Sequence, residues 1–211
     1  MSIQFSVFHQ AKRWFVERNQ HLYPGKKDLF YGQYYAAGAI AGIANSFVAG
    51  PVEHVRIRLQ TQPVGEKQLY NGPVDCVKRM IHDEGLFKGL YRGQMVTILR
   101  EAQAYGLWFL TYEWLMHNHI SKGTKREDVA SWRLAVYGAT AGYVLWLGSY
   151  PFDVIKSRIQ SDFSASGVRK FTGNMDAVRK TWAEGGMAAF WRGILPTMLR
   201  AAPASGGTFL A

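Results

Sequence analysis

The stretch PVEHVRIRLQ at residues 51–60 returns as PFDVIKSRIQ at residues 151–160. Each copy begins with proline, carries an acid two residues later and a base three residues after the acid, and ends in glutamine. Matches this close at one offset indicate a tandem duplication of about one hundred residues. Further pairs keep the same offset, namely Gly38 and Gly138, Gly42 and Gly142, Glu84 and Glu184, Arg92 and Arg192, Gly93 and Gly193, Arg100 and Arg200, and Gly106 and Gly206.

Two long stretches carry no charge, residues 29–52 and residues 134–152. Each is long enough to cross a bilayer, since roughly 20 helical residues span the hydrocarbon core. A buried helix of a soluble protein is the alternative for either stretch alone. The net charge is +10, but the basic residues stand at the ends of these stretches and in the loops. That distribution favours anionic lipid and anionic groups of a substrate over nucleic acid as partners.

Both repeats follow one order of elements. An apolar helix rich in small residues passes through proline to a basic end, and a short amphipathic helix, an aromatic-basic-glycine turn and a second apolar helix follow. Small residues four apart let helices approach closely in lipid, and bends are predicted at Pro51 and Pro151. We predict long helices over residues 31–60, 95–119, 131–160 and 194–211, and short helices over residues 74–84 and 176–184.

The pattern Pro-x-[Asp/Glu]-x-x-[Lys/Arg], followed by [aromatic]-[Lys/Arg]-Gly, resembles the signature of the mitochondrial carrier family, and both copies are complete. Members are all-α membrane proteins of three repeats, each with two transmembrane helices and a short matrix helix, arranged with pseudo-threefold symmetry about a central cavity. The resemblance implies that residues 1–24 end the first repeat, 25–124 form the second and 125–211 belong to the third. Helix 1, the start of helix 2 and the end of helix 6 are then expected to lie outside the chain.

The acid and the base that follow each proline lie on one helix face, so a local ion pair is one interpretation. The resemblance instead implies pairs between odd-numbered helices that close the matrix side. Glu53 would meet Lys156, with glutamines as braces beneath the pairs, while Arg56 and Asp153 would lack partners that belong to helix 1. The predicted residues of this matrix gate are Glu53, Arg56, Gln60, Asp153, Lys156 and Gln160.

A second gate is expected on the even-numbered helices, where the family pattern is [Phe/Tyr]-[Asp/Glu]-x-x-[Lys/Arg]. The sequence supplies Lys12, Tyr112 and Glu113, but His9 stands in place of an acid and Met116 in place of a base. If pairs form in the order of the odd helices, both losses concern one link, and a link without charges is less unfavourable than two orphaned charges. We therefore expect the gate on the side of the intermembrane space to be the weaker one.

Arg100 and Glu101 stand in the middle of a predicted membrane helix, where charges are unfavourable and usually functional. Arginine can clamp a carboxylate through its planar fork, and glutamate can meet an amine, so the two suit a zwitterion; a self-satisfied ion pair is the alternative. In the carrier family this is the second substrate contact point, and Arg200 holds the place of the third. Trp146 is expected to offer its ring to a cation, or else to be an ordinary packing residue.

Within the family, Thr111–Leu115 and Trp146 resemble the carnitine/acylcarnitine and amino-acid carrier branch, and Gly50–Gln62 resembles fungal carriers of the Ymc type. The expected function is secondary transport of an amino acid or a carnitine-type substrate across the mitochondrial inner membrane by alternating access. A carrier for another substrate class, or a non-transporting membrane protein with this fold, is the alternative. No constellation for an enzyme, a metal or a cofactor is present, and we expect a monomer in contact with cardiolipin.

Overall fold

The computed structural model describes residues 2–22, 29–63, 69–120, 129–162 and 170–199. The regular elements in those ranges are helices, and no strand occurs there. The all-α class predicted from the sequence is therefore confirmed. The helices are α1 (Ser2–Leu22), α2 (Tyr31–Thr61), α3 (Pro73–Glu84), α4 (Gln94–Ile120), α5 (Ser131–Gln160), α6 (Asn174–Ala189) and α7, which is described over residues 194–199.

The long helices lie where the sequence pattern predicts them. The bounds of α2, α4 and α5 agree with the predicted spans to within one residue, and α3 agrees equally well with the first short helix. Pro51 and Pro151 lie inside α2 and α5, and both helices continue past them. The predicted last helix is confirmed over residues 194–199, and its remainder to residue 211 lies outside the described residues.

The second short helix ends where the sequence predicts. The span Asn174–Ala189 joins two helical segments across a kink, because Gly185 and Gly186 have non-helical backbone angles, so the first segment ends at Glu184. Gly186 has a φ of 58°, a left-handed conformation that glycine adopts without a steric penalty. In the preceding repeat Gly85 has a φ of 81° and ends α3, and one turn of π-helix, Leu86–Leu90, follows it. The two repeats therefore share a glycine breaker but leave it in different conformations.

α2 is the one helix among the described residues whose length and composition suffice for a membrane span. One such helix is weak evidence by itself, because the core helix of a soluble protein meets the same criteria. α5 contains the uncharged stretch 134–152 but does not meet them. Length and composition alone therefore support one membrane span among the described residues.

The contacts divide the chain into two compact units. The first comprises Met1–Asn45, Glu101–Tyr150 and Gly193–Ala211, and the second comprises Ser46–Arg100 and Pro151–Arg192. Each unit contains segments of both sequence repeats, because the division follows contacts and not the duplication. The repeat boundaries 1–24, 25–124 and 125–211 therefore stay a prediction.

In the first unit, α2 and α4 touch through their backbones. A Cβ atom built on Gly42 would lie 2.3 Å from the carbonyl oxygen of Glu101, and one on Gly38 would lie 2.5 Å from that of Tyr105. Beside this contact, the ring of Phe8 from α1 stacks on that of Phe109 with centroids 3.6 Å apart. The small residues that the sequence spaces four apart thus serve the close helix contact expected of them.

In the second unit, an ion pair connects α2 to α3, and an equivalent ion pair connects α5 to α6. Arg58 donates to Glu84 at 3.1 Å, and Arg158 donates to Glu184 at 2.6 Å. This hydrogen bond from Arg158 lowers the pKa of the Glu184 carboxyl below its usual value. Both pairs keep the offset of 100 residues, so the duplication extends from sequence to side-chain contacts.

The short helices also begin alike. The backbone N–H of Asn71 donates to Asp75 at 3.1 Å, and that of Thr172 donates to Asp176 at 3.0 Å. The pKa of the Asp75 carboxyl is lowered, first by this backbone bond and then by Arg79. A carboxylate in the first turn also interacts favourably with the positive end of the helix dipole. The sequence therefore determines where α3 and α6 start through a local interaction.

Candidate functional site

Four charged side chains form two ion pairs in the second unit. Lys156 on α5 donates from Nζ to Oε2 of Glu53 on α2. Arg100 on α4 holds its Nε 3.3 Å from Oδ1 of Asp153 on α5. The side chain of Lys156 is 3% exposed and that of Arg100 is 15% exposed, so both cations are largely withdrawn from solvent. Two acids and two bases leave the group electrically neutral.

Helix geometry explains why α5 contributes to both pairs. Asp153 and Lys156 are three residues apart, and residues at that spacing share one face of a helix. Glu53 holds the corresponding place in the first copy of the repeated motif, on α2. The motif therefore presents an acid and a base together, and the neighbouring helices supply the opposite charges.

The contact between Glu53 and Lys156 that the resemblance predicted is present. Asp153, whose gate partner is expected on helix 1, forms an ion pair with Arg100 in this chain, and its predicted gate partner stays a prediction. The sequence interpretation considered only pairs between odd-numbered helices, and Arg100 lies on the even-numbered α4. Arg56 is exposed, forms no ion pair with any described residue, and lines an apolar cavity of about 480 Å³ with Pro51.

The two glutamines expected to brace the gate differ in their surroundings. Gln60 is exposed, whereas Gln160 is 1% exposed and packs near Gly93. Within the described part of the chain, Oε1 of Gln160 has no hydrogen-bond partner. Among the described residues neither glutamine bonds to the ion pairs, so the role of brace stays a prediction.

Arg100 and Glu101 have different partners. Glu101 is 2% exposed, lies in the first unit, and accepts a hydrogen bond at Oε2 from Asn45 at 3.2 Å. Adjacent residues on a helix point about 100° apart, so two neighbours need not serve one ligand. The geometry thus links Arg100 to Asp153 and Glu101 to Asn45, where the sequence interpretation grouped Arg100 with Glu101.

Two further residues, Trp146 and Arg200, were predicted to contact the substrate. Trp146 is half-buried on α5 and engaged in contacts. Arg200 lies outside the described residues. A substrate role for either residue therefore stays a prediction.

The residues expected at the second gate are linked in an unexpected way. Lys12 on α1 forms an ion pair with Glu113 on α4, with Nζ 3.9 Å from Oε1, and lies over the ring of Tyr34. Tyr112 stacks on Trp108 with centroids 5.6 Å apart. The order of pairing assumed from the odd helices did not include a Lys12–Glu113 pair. The pair connects α1 and α4. In the predicted order of pairing, the link between these two helices lacks both charges, because His9 stands in place of the acid and Met116 in place of the base.

One buried polar cluster escaped the sequence interpretation. Arg58 is 2% exposed and donates from Nη1 to the hydroxyl of Tyr70, from Nε to Nε2 of His54, and from Nη2 to Glu84. The available signal was the recurrence of arginine at positions 58 and 158, each followed 26 residues later by glutamate. Among the described residues, no group of His, Cys, Asp and Glu could hold a metal ion.

Comparison with known proteins places this arrangement in a family. The model of "Mitochondrial carrier protein" matches residues 27–123 and 127–211. The chain is 46% identical over 213 residues to the mitochondrial glycine transporter YMC1 of Saccharomyces cerevisiae. This alignment covers 99% of the chain and 66% of the yeast protein. It is 42% identical over 211 residues to the glutamate/glycine mitochondrial carrier ymc1 of Schizosaccharomyces pombe. This alignment covers 99% of the chain and 67% of that carrier.

A human relative belongs to the carnitine branch. The chain is 32% identical over 182 residues to the mitochondrial carnitine/acylcarnitine carrier protein of Homo sapiens, covering 86% of this chain and 59% of that protein. The chain thus spans about two thirds of the length of the fungal relatives. The predicted resemblance to the carnitine/acylcarnitine and amino-acid carrier branch is confirmed. With its repeated motif and its helices, the chain belongs to the mitochondrial carrier family, whose members are multi-pass proteins of the mitochondrial inner membrane.

Proposed function

We propose that this protein transports a small zwitterionic metabolite, an amino acid or a carnitine-type compound, by alternating access across the inner membrane. The observation that carries the proposal is the electrically neutral group of Glu53, Arg100, Asp153 and Lys156 on α2, α4 and α5, the long helices that we expect to cross the membrane. Charged residues at such places are rare and usually belong to substrate or ion pathways. A zwitterion adds one charge of each sign and leaves that neutrality intact.

The names of the relatives support the same substrate class. They are described as carriers of glycine, of glutamate and glycine, and of carnitine or acylcarnitine. Each of these compounds has a carboxylate and a cationic nitrogen, and glutamate has a second carboxylate. Carriage of anions such as keto acids or nucleotides is the second candidate, and it would leave the two acids of the group without a counterpart on the ligand.

In this proposal the two ion-pair regions act as gates. Glu53 and Lys156 close the matrix side, and Lys12 with Glu113 contributes to closure toward the intermembrane space. Ion pairs suit this task because they can form and break with a small net change in free energy when water replaces the partner. The remaining predicted gate residues are Arg56, Gln60, Tyr112, Asp153 and Gln160.

Arg100 is the proposed carboxylate ligand, since its guanidinium can bind a carboxylate through two parallel hydrogen bonds. Glu101, Trp146 and Arg200 stay candidates from the sequence for the rest of the substrate. A monomer in contact with cardiolipin stays the expected form in the membrane. The names of the relatives are those of transporters, which supports a protein that is not an enzyme.

The test is uptake into liposomes that contain the complete protein. Radiolabelled glycine, glutamate, carnitine, a keto acid and a nucleotide are each offered outside, with the unlabelled compound or buffer inside. We expect saturable uptake of at least one of them above the level of liposomes without protein, and loss of that uptake in Arg100→Ala. Uptake of keto acids or nucleotides alone would transfer the protein to another substrate class, and no uptake of any compound would favour a non-transporting role.

A further inference from the structure

We propose that Asn45 on α2 is a positioning residue for substrate binding. Its amide holds the carboxylate of Glu101 in one orientation, in which this carboxylate binds the cationic nitrogen of a zwitterion. The inference rests on the proposed transport of a zwitterion, where Glu101 is a candidate ligand for the substrate. It adds a residue of α2 that belongs to none of the motifs of the sequence.

The first argument is the contact itself. Nδ2 of Asn45 donates to Oε2 of Glu101 at 3.2 Å, and both residues belong to the first compact unit. Glu101 is 2% exposed and Asn45 is half-buried, so water competes little with this bond. A hydrogen bond to an ionised group is stronger than one between neutral groups. The amide therefore fixes the direction in which the carboxylate oxygens of Glu101 point.

The second argument is the backbone that carries the two side chains. Gly38, Gly42 and Asn45 follow the spacing i, i+4, i+7, which places them on one face of α2. Both glycines approach the backbone of α4, where a Cβ built on Gly42 would lie 2.3 Å from the carbonyl oxygen of Glu101. Asn45 stands one turn further along this face. The close helix contact thus sets the distance between the amide and the carboxylate.

The third argument is the charge that results. The amide of asparagine is neutral, so it orients a carboxylate without cancelling its negative charge. An ionised carboxylate has about four acceptor positions, and the bond from Asn45 is therefore compatible with a further bond from an ammonium group. A lysine or arginine in the same place would neutralise Glu101 and weaken its attraction for a cation. Asparagine thus suits a carboxylate whose charge is used to bind a ligand.

The fourth argument comes from the duplication. At the offset of 100 residues, Leu145 answers to Asn45 and Ala201 answers to Glu101, whereas Arg200 keeps the arginine of position 100. The amide and the acid are thus present together in one copy and absent together in the other. This is expected of two side chains that act as a unit. Since α5 is helical with leucine at this position, the amide is not needed to form the helix.

The test is the initial rate of uptake into liposomes by the complete protein. KM and Vmax are measured for whichever of glycine, glutamate and carnitine the wild type takes up fastest. Asn45→Thr keeps a side chain of similar size, but we expect its hydroxyl to bond to the carbonyl one turn earlier in α2. Thr61 and Thr140 form such bonds in their own helices. Asn45→Gln keeps an amide donor on a longer side chain.

We expect Asn45→Thr to raise KM about tenfold or more, because the carboxylate of Glu101 loses its fixed orientation. Vmax should stay within about twofold of the wild type, as for a change that weakens binding. Asn45→Gln should recover most of the wild-type KM. The control is Thr140→Val, which removes a hydroxyl that bonds to its own helix and should leave KM unchanged.

The outcomes separate this inference from the proposed function. Uptake by the wild type with an unchanged KM in Asn45→Thr would overturn the inference and leave the proposed function standing, and so would an equal rise of KM in Asn45→Gln. If Asn45→Thr fails to fold, Asn45→Leu replaces it with the same expected rise, since leucine holds this place in the other repeat. If the wild type takes up none of the three compounds, the proposed function fails and the inference fails with it.

Discussion

The contact between α2 and α4 supports a quantitative prediction for Gly42→Ala. The new Cβ would lie 2.3 Å from the Glu101 carbonyl oxygen and 2.6 Å from its carbon, where ordinary contacts begin near 3.4 Å. The obstructing atoms are backbone, so the helices must separate by about 1 Å, and such overpacking costs about 1–3 kcal/mol. Alanine has a higher helix propensity than glycine, and this offsets up to about 1 kcal/mol of the destabilisation.

The same separation strains the hydrogen bond between Asn45 and Glu101, which spans 3.2 Å one turn further along α2. Its loss adds about 1 kcal/mol or more, so the net destabilisation is about 1–3 kcal/mol. For a chain of this size each kcal/mol lowers the melting temperature by about 2–4 °C. We therefore expect Gly42→Ala to melt several degrees below the wild type.

The duplication supplies the matched control. Gly142 holds the same place in the other repeat, and no described atom lies within 4 Å of a Cβ built there. Gly142→Ala should therefore keep or slightly raise the melting temperature. Both variants are followed in detergent by intrinsic tryptophan fluorescence during heating. Equal melting temperatures for Gly42→Ala and Gly142→Ala would refute the close backbone contact as the reason for glycine at position 42.

Three further predictions use other contacts. Transport should be lost in Glu53→Lys and in Lys156→Glu and return in the double variant, measured as uptake at equal expression; no recovery would count against direct pairing. Since the pKa of Glu184 is lowered by its bond from Arg158, the stabilisation is present above the unfolded-state pKa and disappears as the pH falls through the folded-state pKa. Thermal unfolding from pH 7 to about pH 3 should therefore depend less on pH in Glu184→Gln, and an unchanged pH profile would contradict this. Cys76 is buried and burial raises the pKa of its thiol, so a maleimide should label it slowly in the folded protein and rapidly in denaturant, and equal labelling rates would contradict its burial.

The positions of the helices could be predicted because the information is local and repeated. The uncharged stretches, the small-residue spacing and the 100-residue offset place α2, α4 and α5 to within one residue. The contact between Glu53 and Lys156 also followed from the repeated motif, through its family resemblance. The short helical segment that follows Gly186 did not, because Gly185 and Gly186 permit several backbone conformations and the sequence does not say which one is adopted.

The partners of the central charges were decided by tertiary structure alone. The sequence by itself determined that Arg100, Glu101 and Asp153 stand in apolar helices and must find partners there. It could not determine that Arg100 turns to Asp153 while Glu101 accepts a bond from Asn45. Neighbours in sequence point about 100° apart on a helix, and which helix faces each direction depends on how the helices pack. Composition and periodicity therefore determine the helices, whereas the pairing of their charges depends on distances between residues far apart in the chain.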